Sequence, residues 1–91
     1  MSAKLVDLAR RFPTLKDAEG LDPWDPEKFD SWAASAAPGS GALNAARFIL
    51  ELFNQDAEWK CGPFKATRAV GLWDDAHLAA FRSWVDAPWF P

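Results

Sequence analysis

Side chains that perform acid–base chemistry or bind metals cluster at one point of the sequence, Asp74-Asp75-Ala76-His77. A structural metal site needs at least three ligands, and the other soft ligand in the chain is the distant Cys61. Acid–base catalysis by His77 would need a paired nucleophile or a second acid, which the sequence does not identify. A helix start explains the cluster, with Asp74 as N-cap and His77 in the first turn. We therefore expect no metal, no cofactor and no catalytic residue here.

The one cysteine lies in Trp59-Lys60-Cys61-Gly62-Pro63-Phe64-Lys65, which resembles the thioredoxin-like motif Trp-Cys-Gly-Pro-Cys-Lys. The resemblance covers this stretch only, and Phe64 stands where the motif has its resolving cysteine. A single cysteine also excludes an internal disulfide framework. We expect an ordinary thiol; the alternative is a reactive thiol whose pKa is lowered by Lys60, Lys65 and a helix N-terminus that follows.

The stretch from Ala66 to Leu78 has the outline of a helix-turn-helix, in which two short helices are joined through Gly71. Its part Gly71-Leu72-Trp73-Asp74-Asp75-Ala76-His77-Leu78 is similar to the second DNA-reading motif of AraC-type transcription regulators. The resemblance implies that Arg68 faces phosphate and that His77 is structural. The family carries Arg or Lys on the recognition helix, whereas this chain offers only Arg82 there. Nucleic-acid binding through helices 63–70 and 75–86 is therefore our second hypothesis.

Apolar periodicity and helix start and stop signals predict five short helices, with no strand and no internal repeat. The helices are expected over 3–12, from the Asp25 N-cap to the Pro38-Gly39-Ser40-Gly41 joint, and over about 41–55, 63–70 and 75–86. The segment 13–25 is predicted to be a loop, and 87–91 a tail rich in proline and aromatic residues. Pro63 is expected at the first position of the fourth helix, and Gly71 is expected to cap its end.

The third predicted helix is apolar on nearly all sides, so we expect it at the centre of the bundle. Leu50 and Phe53 should be almost fully buried. One narrow polar stripe of this helix is expected to face solvent: Asn44, Arg47, Glu51 and Asn54. The last helix should bury a stripe made of His77, Leu78, Phe81, Trp84 and Val85.

Composition and charge restrict the function classes. The 91 residues, 49% hydrophobic and 14% aromatic with six Trp and seven Phe, are typical of one small globular domain that needs large aromatic anchors. The net charge is −3, which disfavours nonspecific binding to nucleic acid or to an anionic membrane. The charge is uneven, because 17–30 is strongly acidic and 59–73 has basic residues and no acid. These two patches could serve self-association or a polarised partner.

The sequence thus predicts an all-α protein, a single small orthogonal bundle spanning 1–91. No apolar run is long enough to cross a membrane, and the first residues do not read as a signal peptide, so we expect a cytoplasmic protein. Its alanine-rich composition suggests a bacterial source.

Our first functional hypothesis is a non-enzymatic protein-interaction or accessory module, which binds a partner protein or a second copy of itself. The candidate interaction surface comprises Trp24, Lys60, Lys65, Arg68, Trp89 and Phe90. We expect the rings of Trp89 and Phe90 to dock together on the helices, because docking only one gains too little apolar burial; an exposed tail for a partner is the alternative. The third hypothesis is a ligand binder or enzyme around Trp73, His77 and Cys61.

Overall fold

The computed structural model of the protein describes residues 2–35 and 39–91, and over those residues it contains helices and no strand. The elements are α1 (Ser2–Arg10), a short 3₁₀ helix (Pro13–Leu15), α2 (Pro26–Ala34), α3 (Gly39–Phe53), α4 (Ala66–Leu72) and α5 (Asp75–Val85). The predicted all-α bundle is confirmed. Within the described part of the chain, none of the helices has the length and apolar character needed to cross a membrane.

The centre of the bundle is α3, which contacts α1, α2, α4 and the 3₁₀ helix. Its inward face is made of small and branched residues that are completely or almost completely buried: Ala42, Ala45, Ala46, Ile49 and Leu50. The alanines allow neighbouring helices to approach closely, which dense packing requires. Phe48 connects α3 to α5, because its ring contacts those of Phe81 and Trp84 at centroid distances of 5.0 and 5.4 Å.

Two expectations about α3 are wrong. Asn44, predicted in the solvent-facing stripe, is only 2% exposed, and its Nδ2 donates a hydrogen bond of 2.9 Å to the carbonyl of Ser40. Phe53, predicted to be buried, is 38% exposed. Both differences arise because α3 is enclosed at its N-terminal half, while its last turn lies at the edge of the bundle. There Phe53 packs on the partly buried rings of Trp24 and Trp59.

The segment 13–25 is better packed than the predicted loop. The first helix ends at Arg10, earlier than expected, and Phe12 is fully buried before the 3₁₀ helix begins. Leu15 and Leu21 are also buried. Gly20 has a φ of +84° and lies so close to α2 that a Cβ there would be 2.5 Å from the backbone nitrogen of Phe29. The segment therefore contributes Leu15 and Leu21 to the core and packs closely on α2 at Gly20.

Capping residues gave the most accurate helix boundaries. Asp25 accepts a hydrogen bond from the backbone N–H of Lys28 at 3.1 Å, and Asp74 accepts one from that of His77 at 2.9 Å, as predicted for N-caps. The second helix ends at Ala34, with Ser35 as its C-cap, before the predicted joint. Pro38 of that joint lies outside the described residues, whereas Gly39 already begins α3.

The prediction for α4 is wrong at both ends. Its N-cap is Lys65, not a residue before Pro63, because 62–65 stays non-helical and Phe64 reaches the rings of Phe48 and Trp73. Gly71 lies inside the helix without a positive φ, and the helix ends at the extended Trp73.

The buried stripe of α5 also differs from the prediction at one end. His77 and Ala80 are buried, and Leu78, Phe81 and Trp84 are half-buried, but Val85 is 45% exposed. Val85 is the last residue of the helix.

Candidate interaction groove

A groove follows the exposed side of α3 between the connection 54–64 and the C-terminal tail. Two cavities of about 330 and 200 Å³ adjoin there, and both are lined by Glu51, Gln55 and Phe64. A third, of about 230 Å³, extends the depression past Phe90 to Asp56. We call this continuous depression the α3 groove. Its floor is apolar and consists of Phe48, Leu52, Phe64, Phe81 and Trp84.

The floor is a packed aromatic cluster. The ring of Phe48 lies 5.4 Å from that of Phe64 and 5.4 Å from that of Trp84, and Phe64 lies 5.8 Å from Phe81. These centroid distances and the tilted or edge-to-face angles are those of favourable aromatic pairs. Phe48 belongs to the core, whereas Phe64, Phe81 and Trp84 are only partly buried. The groove therefore has an apolar floor that solvent reaches.

A buried polar network holds one wall of the groove. Asp30 of α2 is only 5% exposed, and its carboxylate accepts the backbone N–H groups of Lys60 and Cys61 at 2.8 and 2.9 Å. Arg47 of α3 donates from Nε to the carbonyl of Cys61 at 2.6 Å. These bonds link the connection to two helices, so Trp59 and Phe64 stand at fixed positions beside α3.

The same network determines the chemistry of Cys61. Burial, followed by the hydrogen bond and negative charge of Asp30, raises the pKa of its thiol to about 12. The reactive-thiol alternative, which needed a lowered pKa, is therefore wrong. Lys60 and Lys65 are exposed, and it is burial, reinforced by Asp30, that raises the pKa of the thiol.

The charged residues that line the groove are mostly acidic. Glu51, Asp56 and Glu58 are exposed along it, whereas the one base is Arg47, whose guanidinium already donates to the Cys61 carbonyl. The groove thus combines an apolar floor with a negatively charged rim.

The C-terminal tail borders the groove and is docked in part. Trp84 donates from Nε1 to the carbonyl of Trp89 at 2.8 Å, and Lys4 Nζ lies 4.7 Å from the centre of the Trp89 ring. Phe90 is 75% exposed and meets Trp84 edge to face at 5.7 Å. The expectation that both rings dock together is wrong. The backbone of Trp89 anchors the tail, which leaves the next ring at the rim of the α3 groove.

The other residues of the predicted interaction surface lie elsewhere. Trp24 packs on Phe29 at 5.4 Å and lines a separate cavity with α1. Lys60 and Lys65 have exposed side chains on the connection, and Arg68 is exposed on α4. Of the six residues, only Phe90 lines the groove.

The His77 cluster contains a residue that the sequence did not indicate. His77 Nδ1 is 2.7 Å from Asp74 Oδ1, and its Nε2 is 2.8 Å from the hydroxyl of Thr14, which lies 63 positions away in the 3₁₀ helix. Hydrogen bonds from the His77 backbone N–H and side chain lower the pKa of Asp74. Over residues 2–35 and 39–91, no three acidic, histidine or cysteine side chains meet as a metal site would require.

Sequence reasoning assigned Phe48, Leu52, Phe81 and Trp84 to the core, because large apolar residues at helical spacing look the same in a core and in a groove. It gave Phe64 no place in either. The sequence contained one indication of the groove. Glu51 and Gln55 lie four residues apart and form a solvent-exposed polar stripe beside Leu52. Comparisons with known proteins add no assignment: no family model, no curated protein and no solved structure matches the chain.

Proposed function

We propose that this protein is a protein-interaction module that binds an apolar segment of a partner protein, flanked by basic residues, in the α3 groove. The observation that carries the proposal is the solvent-accessible aromatic floor, with the exposed Phe90 at its edge. A small protein gains stability by covering such rings, so leaving them accessible favours a binding role. The proposal assigns binding, not chemistry, to this groove.

The chemistry of the groove selects the partner. Phe64, Phe81 and Trp84 offer apolar surface of the kind into which an amphipathic helix places its apolar side chains. Glu51, Asp56 and Glu58 would then lie next to the polar flank of that helix, where Lys or Arg complements their charge. The net charge of −3 acts in the same direction at longer range.

The proposal places the module in the cytoplasm, where its buried free thiol suits a reducing compartment. A second copy of the chain is the other occupant to consider. Its most basic stretch, 59–73, carries Lys60, Lys65 and Arg68 without an acid. Self-association would appear as a concentration-dependent dimer in sedimentation.

The experiment is a titration of the ¹⁵N-labelled protein with a helical peptide of about 12 residues that carries leucines on one face and lysines elsewhere. We expect amide shifts at Leu52, Gln55, Phe64 and Phe81 and at the Trp84 indole. A peptide with glutamate in place of lysine should bind at least about ten-fold more weakly, and added salt should reduce the difference.

Charge-reversal variants provide the matched control. Glu51→Lys should raise the Kd of the lysine peptide about three- to ten-fold, whereas Glu19→Lys, the same change in the acidic 17–30 segment, should leave it unchanged. Equal binding of both peptides, or shifts centred on Trp24, would contradict the proposal.

Binding of a random DNA duplex tighter than about 10⁻⁵ M at roughly 0.15 M salt, lost in Arg68→Ala, would instead support the helix-turn-helix hypothesis.

A further inference from the structure

Three side chains away from the groove form a nucleophile–base–acid arrangement. The hydroxyl of Thr14, both ring nitrogens of His77 and the carboxylate of Asp74 lie in one line of hydrogen bonds of 2.8 and 2.7 Å. The sequence alone pairs no nucleophile with His77; the fold supplies one from the 3₁₀ helix. Thr14 and Asp74 are exposed at the two ends, while His77 is buried between them.

The hydrogen bonds assign the proton on the imidazole. An ionised Asp74 only accepts, so His77 Nδ1 carries the hydrogen and donates it to Oδ1. When the ring is neutral, the lone pair of Nε2 therefore faces the hydroxyl of Thr14, at a distance suited to proton transfer. This is the tautomer that a hydroxyl nucleophile needs from its base.

The surroundings hold the imidazole in place. Trp73 stacks on His77 with 6.2 Å between ring centres and an angle of 21°, and its Nε1 donates to the carbonyl of Gly41. Phe12 covers a further side of the ring at 6.1 Å. Asp74 is itself fixed as the N-cap of α5, so it positions His77 through both the ring and the backbone N–H.

The first turn of α3 lies beside the pair. A Cβ on Gly41 would be 3.9 Å from both His77 Nε2 and the Thr14 methyl group, which is ordinary van der Waals contact, so Gly41 borders the pair directly.

We propose that Thr14, His77 and Asp74 form a hydrolytic triad that cleaves carboxylic esters, with Thr14 as nucleophile, His77 as general base and acid, and Asp74 as the positioning residue. The Thr14 Oγ1 attacks the acyl carbon while its proton passes to His77 Nε2. The ester C–O bond breaks, and the leaving alcohol takes that proton. Water then cleaves the acyl-Thr14 ester, giving one proton to Nε2, which returns it to Thr14 Oγ1. The net reaction is ester plus water to acid plus alcohol.

The test uses the full chain with p-nitrophenyl acetate, and it compares Thr14→Val with Thr67→Val, the same substitution at an exposed threonine of α4. We expect the protein-dependent rate to fall about ten-fold or more in Thr14→Val and to stay unchanged in Thr67→Val. Thr14→Ser should retain activity. Mass spectrometry after acid quenching should find the acetyl group on Thr14, and Asp74→Asn should lower the rate over the whole pH profile.

Thermal melting separates a structural role from a catalytic one. If Thr14→Val lowers the melting temperature but keeps the rate, the Thr14–His77 bond is a structural link and the proposal fails. It fails equally if the wild-type rate does not exceed that of the same concentration of free imidazole, or if acetyl groups are found on lysines and not on Thr14. None of these outcomes affects the groove, because the peptide titration does not involve Thr14.

Discussion

Asp30 shows how a single carboxylate fixes a segment that has no regular structure. Its two oxygens accept the N–H groups of Lys60 and Cys61, which have no helix or strand partner. A buried carboxylate with two charge-assisted bonds is stabilising because both backbone donors would otherwise be unpaired.

We expect Asp30→Asn to lower the free energy of unfolding by about 1–3 kcal/mol, since the amide keeps one acceptor oxygen and turns an N–H group toward a backbone donor. Chemical denaturation measures this. Asp17→Asn, at an exposed site, should change stability by less than about 0.5 kcal/mol. Equal effects of the two substitutions would mean that Asp30 does not hold the connection.

The thiol of Cys61 should be inert in the folded protein, because burial and the adjacent Asp30 raise its pKa to about 12. Alkylation by iodoacetamide at pH 8 should require unfolding, so its rate should rise with denaturant along the unfolding curve. The unfolded thiol ionises near pH 9 and the folded thiol does not, so stability should fall as the pH rises from about 9 toward 12. Cys61→Ala should weaken that decline, and fast labelling without denaturant would contradict the assignment.

At the scale of elements, local rules predicted what local hydrogen bonds determine. Asp25 and Asp74 cap their helices as expected, because an N-cap depends only on the next three residues. The ends of α4 were not predictable in the same way. The start of that helix is delayed because Phe64 inserts among rings from α3 and α5, a contact that no local pattern reveals.

Substitution of two glycines by alanine should have opposite effects on stability, because only one of them is packed against other backbone atoms. Gly20→Ala should be destabilising by more than about 1 kcal/mol, because its φ is +84° and the new Cβ would meet the backbone of α2. Gly71→Ala is the control: it lies in α4 with nothing within 4 Å of its Cβ position, and it should stabilise by about 0.5–1 kcal/mol. Urea denaturation of both variants checks this. A destabilised Gly71→Ala would restore the capping role that the sequence suggested.

The central position of α3 predicts how much stability is lost when its side chains are truncated. Leu50 is completely buried, so Leu50→Ala should cost about 2–5 kcal/mol, enough to unfold so small a domain at moderate temperature. Phe53→Ala removes a larger side chain from the exposed end of the same helix and should cost less than about 2 kcal/mol. Denaturation midpoints of the two variants give the ranking, and the reverse order would move the centre of the core toward the end of α3.

At the scale of the whole molecule, the same aromatic side chains make the core and the groove. Phe12 and Phe48 are buried, and their ring centres lie 6.0 Å apart. Phe64, Phe81 and Trp84 continue the cluster to the surface. The groove could not be predicted from the sequence, because its floor and walls come from α3, the connection, α5 and the tail. The Thr14–His77 bond escaped prediction for the same reason, since it joins residues at opposite ends of the chain.

The two aromatic residues of the tail should have separate roles. Trp89 is half-buried, its carbonyl accepts a hydrogen bond from the Trp84 indole N–H, and Lys4 lies over its ring. Phe90, in contrast, is 75% exposed at the rim of the α3 groove. Trp89→Ala should lower stability by about 1–2 kcal/mol, and hence the melting temperature by roughly 5–15 °C. Phe90→Ala should leave the melting temperature almost unchanged but weaken binding of the lysine-rich peptide, because an exposed ring beside an apolar groove contributes area only when a ligand covers it. Calorimetry and the peptide titration on both variants separate the two roles. A loss of stability in Phe90→Ala, with peptide affinity intact, would show that this ring belongs to the fold and not to the interaction surface.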